Sequence, residues 1–147
     1  MCRTALALGV AAALAVTPGP VTAAGTTVTT SSSELKVLAM VNSSRAASGI
    51  GALSLSERLT RMARRHSRRM ASERRLFHHS CLACRFPSGW KLLGENVGMA
   101  PTLRRVHRMM MRSDGHRSIL LNGGFQRVGI GVVRKGGTYW VTEIFYA

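Results

Sequence analysis

Acidic side chains are scarce in this chain: six Asp and Glu stand against 21 Lys and Arg, eighteen of the latter arginine, for a formal charge of +15. Such an imbalance disfavours basic partners. It favours polyanions such as wall polymers, lipid headgroups or, in vitro, nucleic acid. Solvation of the surface by arginine accounts for the same charge equally well. Long hydrophobic runs are also missing. The apolar run from Ala5 to Val16 is too short and wrongly flanked for a membrane span. With Met1-Cys2-Arg3 before it and small residues at Val21-Thr22-Ala23-Ala24 after it, it reads as a secretory signal peptide over residues 1–24. Cys2 is not in a lipoprotein-type position, so no lipid anchor is expected. Internal repeats are absent, and 147 residues suit one domain with a real core. No metal motif with fixed local spacing is present, and no second Cys/His pair stands ready to complete a structural zinc site around Cys81 and Cys84.

What is there reads in order as helices followed by strands. Residues 25–33 form a Thr/Ser-rich tract expected to be a flexible linker, and residues 34–147 form the domain. Glu34 opens a first helix carrying Leu35, Leu38, Val41 and Arg45 at helical spacing, closed by Ser48-Gly49. Ser56 caps a second, whose stripe of Leu59, Met62, Ala63, His66 and Met70 is opposed by Arg58, Arg61, Arg64, Arg65, Arg68 and Arg69. That arginine run reads first as a solvated face and second as a docking face for an anionic surface. His66, on the apolar side, reads as a packed core histidine rather than a ligand. Leu103, Val106, His107, Met110 and Met111 give a further helix. Val128, Ile130 and Val132 then alternate with Gly129 and Gly131 in a strand open to close backbone approach, and Gly136-Gly137 turn it into a returning strand, Tyr139 to Tyr146. The class is α+β, with helices covering a small antiparallel sheet.

Gly94 to Arg117 draws the functional interest. Glu95 stands between glycines, His78 and His79 lie upstream, and Ser113-Asp114-Gly115-His116 forms a turn ending in an imidazole. Glu95, His116 and one of His78 or His79 are expected to meet in one cleft. One carboxylate and two imidazoles are a common zinc ligand set, and the same groups can run acid/base chemistry. A hydrogen bond between Glu95 and His116, pinning two loops together, explains the same residues without chemistry. Ser113 beside His116 has the composition of a nucleophile and base, though neighbours in sequence are not yet geometry. Cys81-x-x-Cys84 reads first as a disulfide in an exported chain, with a redox pair or, with His79, half of a zinc site as alternatives.

These pieces, taken together, resemble the CAP superfamily (cysteine-rich secretory, antigen and pathogenesis-related proteins), in its short bacterial SCP-like branch. The matching stretches include Val41-Asn42-x-x-Arg45, Ala63-x-x-His66-Ser67-x-x-Met70-Ala71 and Leu76-Phe77-His78. They continue through Gly94-Glu95-Asn96-Val97-Gly98, Ser113-x-Gly115-His116-Arg117, Phe125-x-x-Val128-Gly129-Ile130-Gly131-Val132 and Trp140-Val141-Thr142. The resemblance implies a three-layered α-β-α sandwich whose cleft is lined by two histidines and two acids. His78, Glu95 and His116 fill three of those positions, with His79 as the alternate to His78. The fourth position, on the helix before the Ser-x-Gly-His turn, carries no acid, and Glu143 on the last strand is its substitute if it faces the cleft. The metal expectation falls on His78 and His116, with zinc as the ion.

The family's activities are diverse, so fold and address transfer better than chemistry. The first expectation is a secreted, extracellular or envelope-associated binding module. The alternatives are a metal-assisted hydrolase using His78, Glu95 and His116, and an arginine-rich polyanion binder. Expected partners are anionic envelope polymers or lipid headgroups outside the cleft and a small lipid or peptide ligand within it. No sequence-specific nucleic-acid recognition is expected, and the chain is expected to be a monomer. Cys81 and Cys84 should be oxidised in the secreted protein: intact mass after thiol alkylation without reductant should show no adduct on either, and two adducts would refute the pairing.

Overall fold

Ser31 accepts a hydrogen bond from the Glu34 N–H, and Glu34 reaches back to the Ser31 N–H, a reciprocal box that starts α1 (Ser32–Ala47) two residues before the expected Glu34. The computed structural model describes residues 29–86 and 89–147; the expected signal peptide and residues 25–28 of the expected linker lie outside them. The buried stripe of α1 is Glu34, Val37, Val41 and Arg45, while Leu35, expected inside, is half exposed. The reason is charge satisfaction. Arg64 reaches over from the next helix, its Nε 2.6 Å from Glu34 Oε1 and its Nη2 on the other oxygen, so this acid is stabilised where leucine was expected. Arg64 therefore belongs to a helix–helix tie and not to the solvated arginine face.

The short strand β1 (Ser54–Leu55) leads into α2 (Glu57–Glu73), which buries Leu59, Met62, Ala63, His66 and Met70 as its periodicity requires. After an irregular loop with one 3-10 turn (Ala83–Arg85) come β2 (Leu93–Ala100), α3 (Leu103–Met111), α4 (Asp114–Leu120), β3 (Arg127–Lys135) and β4 (Thr138–Tyr146). The sheet order is β1-β3-β4-β2, with β1 parallel to β3 and the other pairs antiparallel. The sheet is thus mixed, one parallel pair more than the small antiparallel sheet expected. Gly136 and Gly137 both take positive φ, 57° and 74°, in the two-residue turn joining β3 and β4.

Alternation along the strands sorts the layers. Val128, Ile130, Val141 and Phe145 pack with Val37, Val41, Val106, Met110 and Leu120 on the α1/α3/α4 side. Ile144 faces α2 with Leu59, Met62 and Ala63. The result is the α-β-α sandwich. Arg45, only 1% exposed, fastens its outer layer: the guanidinium donates to the carbonyls of Gly51, Leu120, Asn122 and Phe125, tying α1 to the end of α4 and to the turn into β3. On the other side α2 lies against β3 at backbone distance. A Cβ on Gly129 would fall 2.1 Å from the Leu59 carbonyl carbon, and one on Gly131 2.2 Å from that of Ala63. Ser67 locks the contact: its hydroxyl donates to the Gly131 carbonyl at 2.9 Å and accepts from the Thr142 hydroxyl at 2.8 Å.

A methyl group at Gly131 has only helix backbone to push against. Gly131→Ala should therefore lose about 3 kcal/mol or more in urea unfolding; a variant as stable as wild type would mean that α2 can lift from the sheet.

Candidate functional site in the His/Glu group

Two neighbouring residues of β2 face opposite layers. Glu95 pairs in register with Ile144 and so faces α2; Asn96 pairs with Glu143 and faces α3 and α4. Around Glu95, 8% exposed, the structure gathers three imidazoles. His79 Nδ1 lies 2.6 Å from Oε2, and the His79 backbone N–H donates to Oε1 at 3.2 Å. His78 Nδ1 lies 3.1 Å from Oε1, and His66 Nε2 lies 3.7 Å from it. The His66 and His79 rings stack at 3.8 Å between centroids. A carboxylate only accepts, so the Nδ1 atoms of His78 and His79 carry the hydrogens here. His66 Nε2, 2.7 Å from the Phe77 carbonyl, is likewise protonated.

Burial opposes the charge on Glu95. The hydrogen bond from His79, the charges of His79 and His66 and the His79 N–H outweigh it, and the carboxyl is held below its ordinary range. Burial pushes His66 down, with the Phe77 carbonyl acting the other way.

His79, its side chain 8% exposed, is the inner member of the expected pair, and His78, 58% exposed, the outer. A one-residue alternation in the loop decides which imidazole turns inward, and spacing alone cannot fix it. His66 is buried as expected of a core residue, yet it also completes the group: ligand-capable atoms of His66, His79 and Glu95 all lie within 4.8 Å of one another. His66 was legible as a helix-face residue. Its meeting with Glu95 was hidden because Gly94–Gly98 does not read as a strand. Cys81 and Cys84 form the expected disulfide, clipping the loop just after His79.

His116 stands one step away. Its Nδ1 is 2.8 Å from Ser113 Oγ, its carbonyl accepts from Asn96 Nδ2, and burial followed by the charge of His78 lowers its pKa. The grouping of His78 with His116 as metal ligands is therefore not the one brought together around Glu95. Serine and histidine do touch, but among the described residues no carboxylate orients His116, so the pair lacks the third member of a hydrolytic triad. Leu76, Val97, Met99, Met109 and Met110 line an apolar cavity of about 200 Å³ that ends at His116.

Glu143 does not join the group either. It faces the opposite side of the sheet from Glu95, between Val141 and Phe145, and is 1% exposed. Burial pushes its carboxyl up to about 7, with a long hydrogen bond from Asn96 opposing the shift. Asn96 Oδ1, also buried, has no donor.

The model of the cysteine-rich secretory protein family, CAP, matches residues 38–145. The chain belongs to the CAP family. Among CAP relatives, YkwD of Bacillus subtilis (strain 168) is 31% identical over 138 residues, which cover 84% of this chain and 53% of YkwD. The structure also superposes on an SCP-domain extracellular protein of Bacillus anthracis str. Ames, with a TM-score of 0.67 at 24% identity, covering 78% of this chain and 40% of that one. A second solved structure, NaASP2 with Zn2+, matches with a TM-score of 0.61 at 15% identity, covering 78% of this chain and 80% of the other. The chain thus spans about half or less of the two bacterial relatives' length.

Glu143 yields a pH prediction for this CAP domain. Its folded pKa of about 7 lies above the ordinary 4.5, so the folded state holds a proton that the unfolded state releases. Stability should fall as pH rises from about 4.5 to 7, by about 3 kcal/mol from this group. Glu143→Gln should remove that slope in unfolding measured across the range, and an unchanged slope would show that Glu143 is ionised in the fold.

Proposed function

We propose that this chain is an extracellular, envelope-associated binding module whose His66–His79–Glu95 group takes a divalent ion, and that it is not a hydrolase. The observation that carries the reading is the state of Glu95: both oxygens are engaged by His78 and His79, so no carboxylate stands free to act as a general base. Support for the address comes from the Cys81–Cys84 disulfide, which suits an oxidising compartment, and from the B. anthracis relative described as extracellular. Among the described residues no helix is long and apolar enough to cross a membrane.

Two imidazoles and a carboxylate fit zinc in donor type. They are not set for it as they stand. His66 Nε2 is engaged by the Phe77 carbonyl and His79 Nδ1 by Glu95, so an ion must displace hydrogen bonds already made. Weak binding follows, with His79 and His66 as nitrogen ligands and Glu95 as the oxygen ligand. An ion held there would order the loop between α2 and β2 and leave a coordination position for a ligand's oxygen.

Calorimetric titration of the secreted protein with zinc tests this. His79→Ala should weaken binding tenfold or more, and acidification through the histidine range should weaken it in wild type, because protonated imidazole cannot ligate. His116→Ala should change it little. The reverse ranking would return the ion to His78 and His116, and measurable peptide or ester turnover lost in Glu95→Gln would refute the binding-module reading.

A further inference from the structure

Three neighbouring cavities, linked by shared lining residues, lie where α2 meets the disulfide-clipped loop and the end of the sheet. The first, about 100 Å³, is lined by Arg65, Arg69, Arg85, Met62 and the rings of His66 and His79. The second, about 400 Å³, shares Met62, Arg65 and Arg85 with it and adds Arg58 and Arg61. The third, about 200 Å³, shares Arg58 with the second and ends on Arg127. Six arginines thus line one groove, and no acid lines any part of it. Only Arg61 and Arg69 have carboxylate partners, Glu57 and Glu73 on exposed helix positions; among the described residues no ion pair engages Arg58, Arg65, Arg85 or Arg127.

Solvation alone scatters arginines over a face; here a second element closes over them. Cys81 and Cys84 are bonded, and Arg58 Nη2 donates to the Arg85 carbonyl, so the loop that carries Arg85 is fastened to the helix. Arg58, Arg61, Arg65 and Arg69 repeat about once per helical turn, spanning about 16 Å of axis. A single small anion would fill one end of such a groove, whereas a chain with a negative group at each repeat would fill it all. Guanidinium forks favour phosphate or carboxylate oxygens bidentately. Nucleic acid is disfavoured because base stacking needs open aromatic faces, and the neighbouring rings already carry arginines: Arg58 over Phe86, Arg69 and Arg75 over Phe77.

We propose that this groove binds a linear phosphodiester polymer without nucleobases, such as a poly(glycerol phosphate) chain of a cell envelope. One end of the polymer lies against the open side of His66 and His79, and the other reaches Arg127. The groove abuts the ion ligands His66 and His79 at one end, but the arginines that hold the polymer are not ion ligands, so the proposal extends the binding-module reading without depending on the ion.

Fluorescence anisotropy with labelled poly(glycerol phosphate) tests it on the full secreted chain. Wild type should bind with a steep salt dependence. The variant R58Q/R61Q/R65Q should lose at least tenfold in affinity, with a log–log salt slope shallower by about 2. The control R104Q/R105Q/R108Q, on exposed positions of α3, should lose less than threefold. Equal losses in the two triples would reduce the groove to net charge and overturn it. So would oligothymidylate binding as tightly as poly(glycerol phosphate), which would point to nucleic acid, or tighter binding to phosphatidylglycerol vesicles, which would point to a lipid surface. Zinc titration of the groove variant should match wild type; polymer binding lost with zinc binding intact separates the groove from the ion site.

Discussion

The contact of α2 with β3 at backbone distance is the constraint on which the rest of this molecule depends. Gly129 and Gly131 remove the side chains that would hold the helix off the sheet, and Ser67 bridges both strands of the hairpin. With α2 seated this deeply, His66 comes within reach of Glu95 on the far edge strand. The same seating presents the arginines of the helix's outer face to the loop that follows it. A helix resting on ordinary side chains would stand farther from the sheet, and the imidazole and carboxylate would not meet.

The scarcity of acids gives each one a defined place. Glu34 caps α1 and holds Arg64; Glu57 and Glu73 pair along α2; Asp114 sits in the first turn of α4; Glu95 holds the histidines; Glu143 is buried beside Asn96. Only Glu57 and Glu73 reach groove arginines, Arg61 and Arg69, and no acid is left for Arg58, Arg65, Arg85 and Arg127. Positive potential there is therefore a consequence of how the six acids are spent on structure and site.

Much of this was legible in the sequence because periodicity reports burial. The α2 stripe, the glycine alternation of β3 and the two-glycine turn all follow local rules; the Ser-x-Gly-His stretch, read as a turn, is instead the N-cap and start of α4. Leu35 was read less well, and Glu34 was read as the helix's opening acid without its burial, whereas Arg45 is on the stripe where its spacing put it. A hydrophobic count cannot foresee a carboxylate and a guanidinium inside a helix interface, since their burial is offset by partners distant in sequence, Arg64 for one and four carbonyls for the other. The same holds at the site. Glu95 and His116 stand out by composition, but which of His78 and His79 turns inward, and that His66 joins them, depends on β2 being a strand with Glu95 and Asn96 on opposite faces.

Arg45 divides the molecule in its response to acidity. Its guanidinium is held by backbone carbonyls and no carboxylate, and it stays charged across the ordinary range of biological pH, even with burial lowering its pKa. The anchorage of α1 to α4 and to the start of β3 therefore has no proton to gain or lose. The groups gathered at the His/Glu site lie elsewhere: His66 on α2, His78 and His79 in the loop after it, and Glu95 on β2. As a medium acidifies, the His/Glu side of the domain can rearrange its hydrogen bonds while the Arg45 anchorage stays fixed, a rigid mount carrying a responsive face.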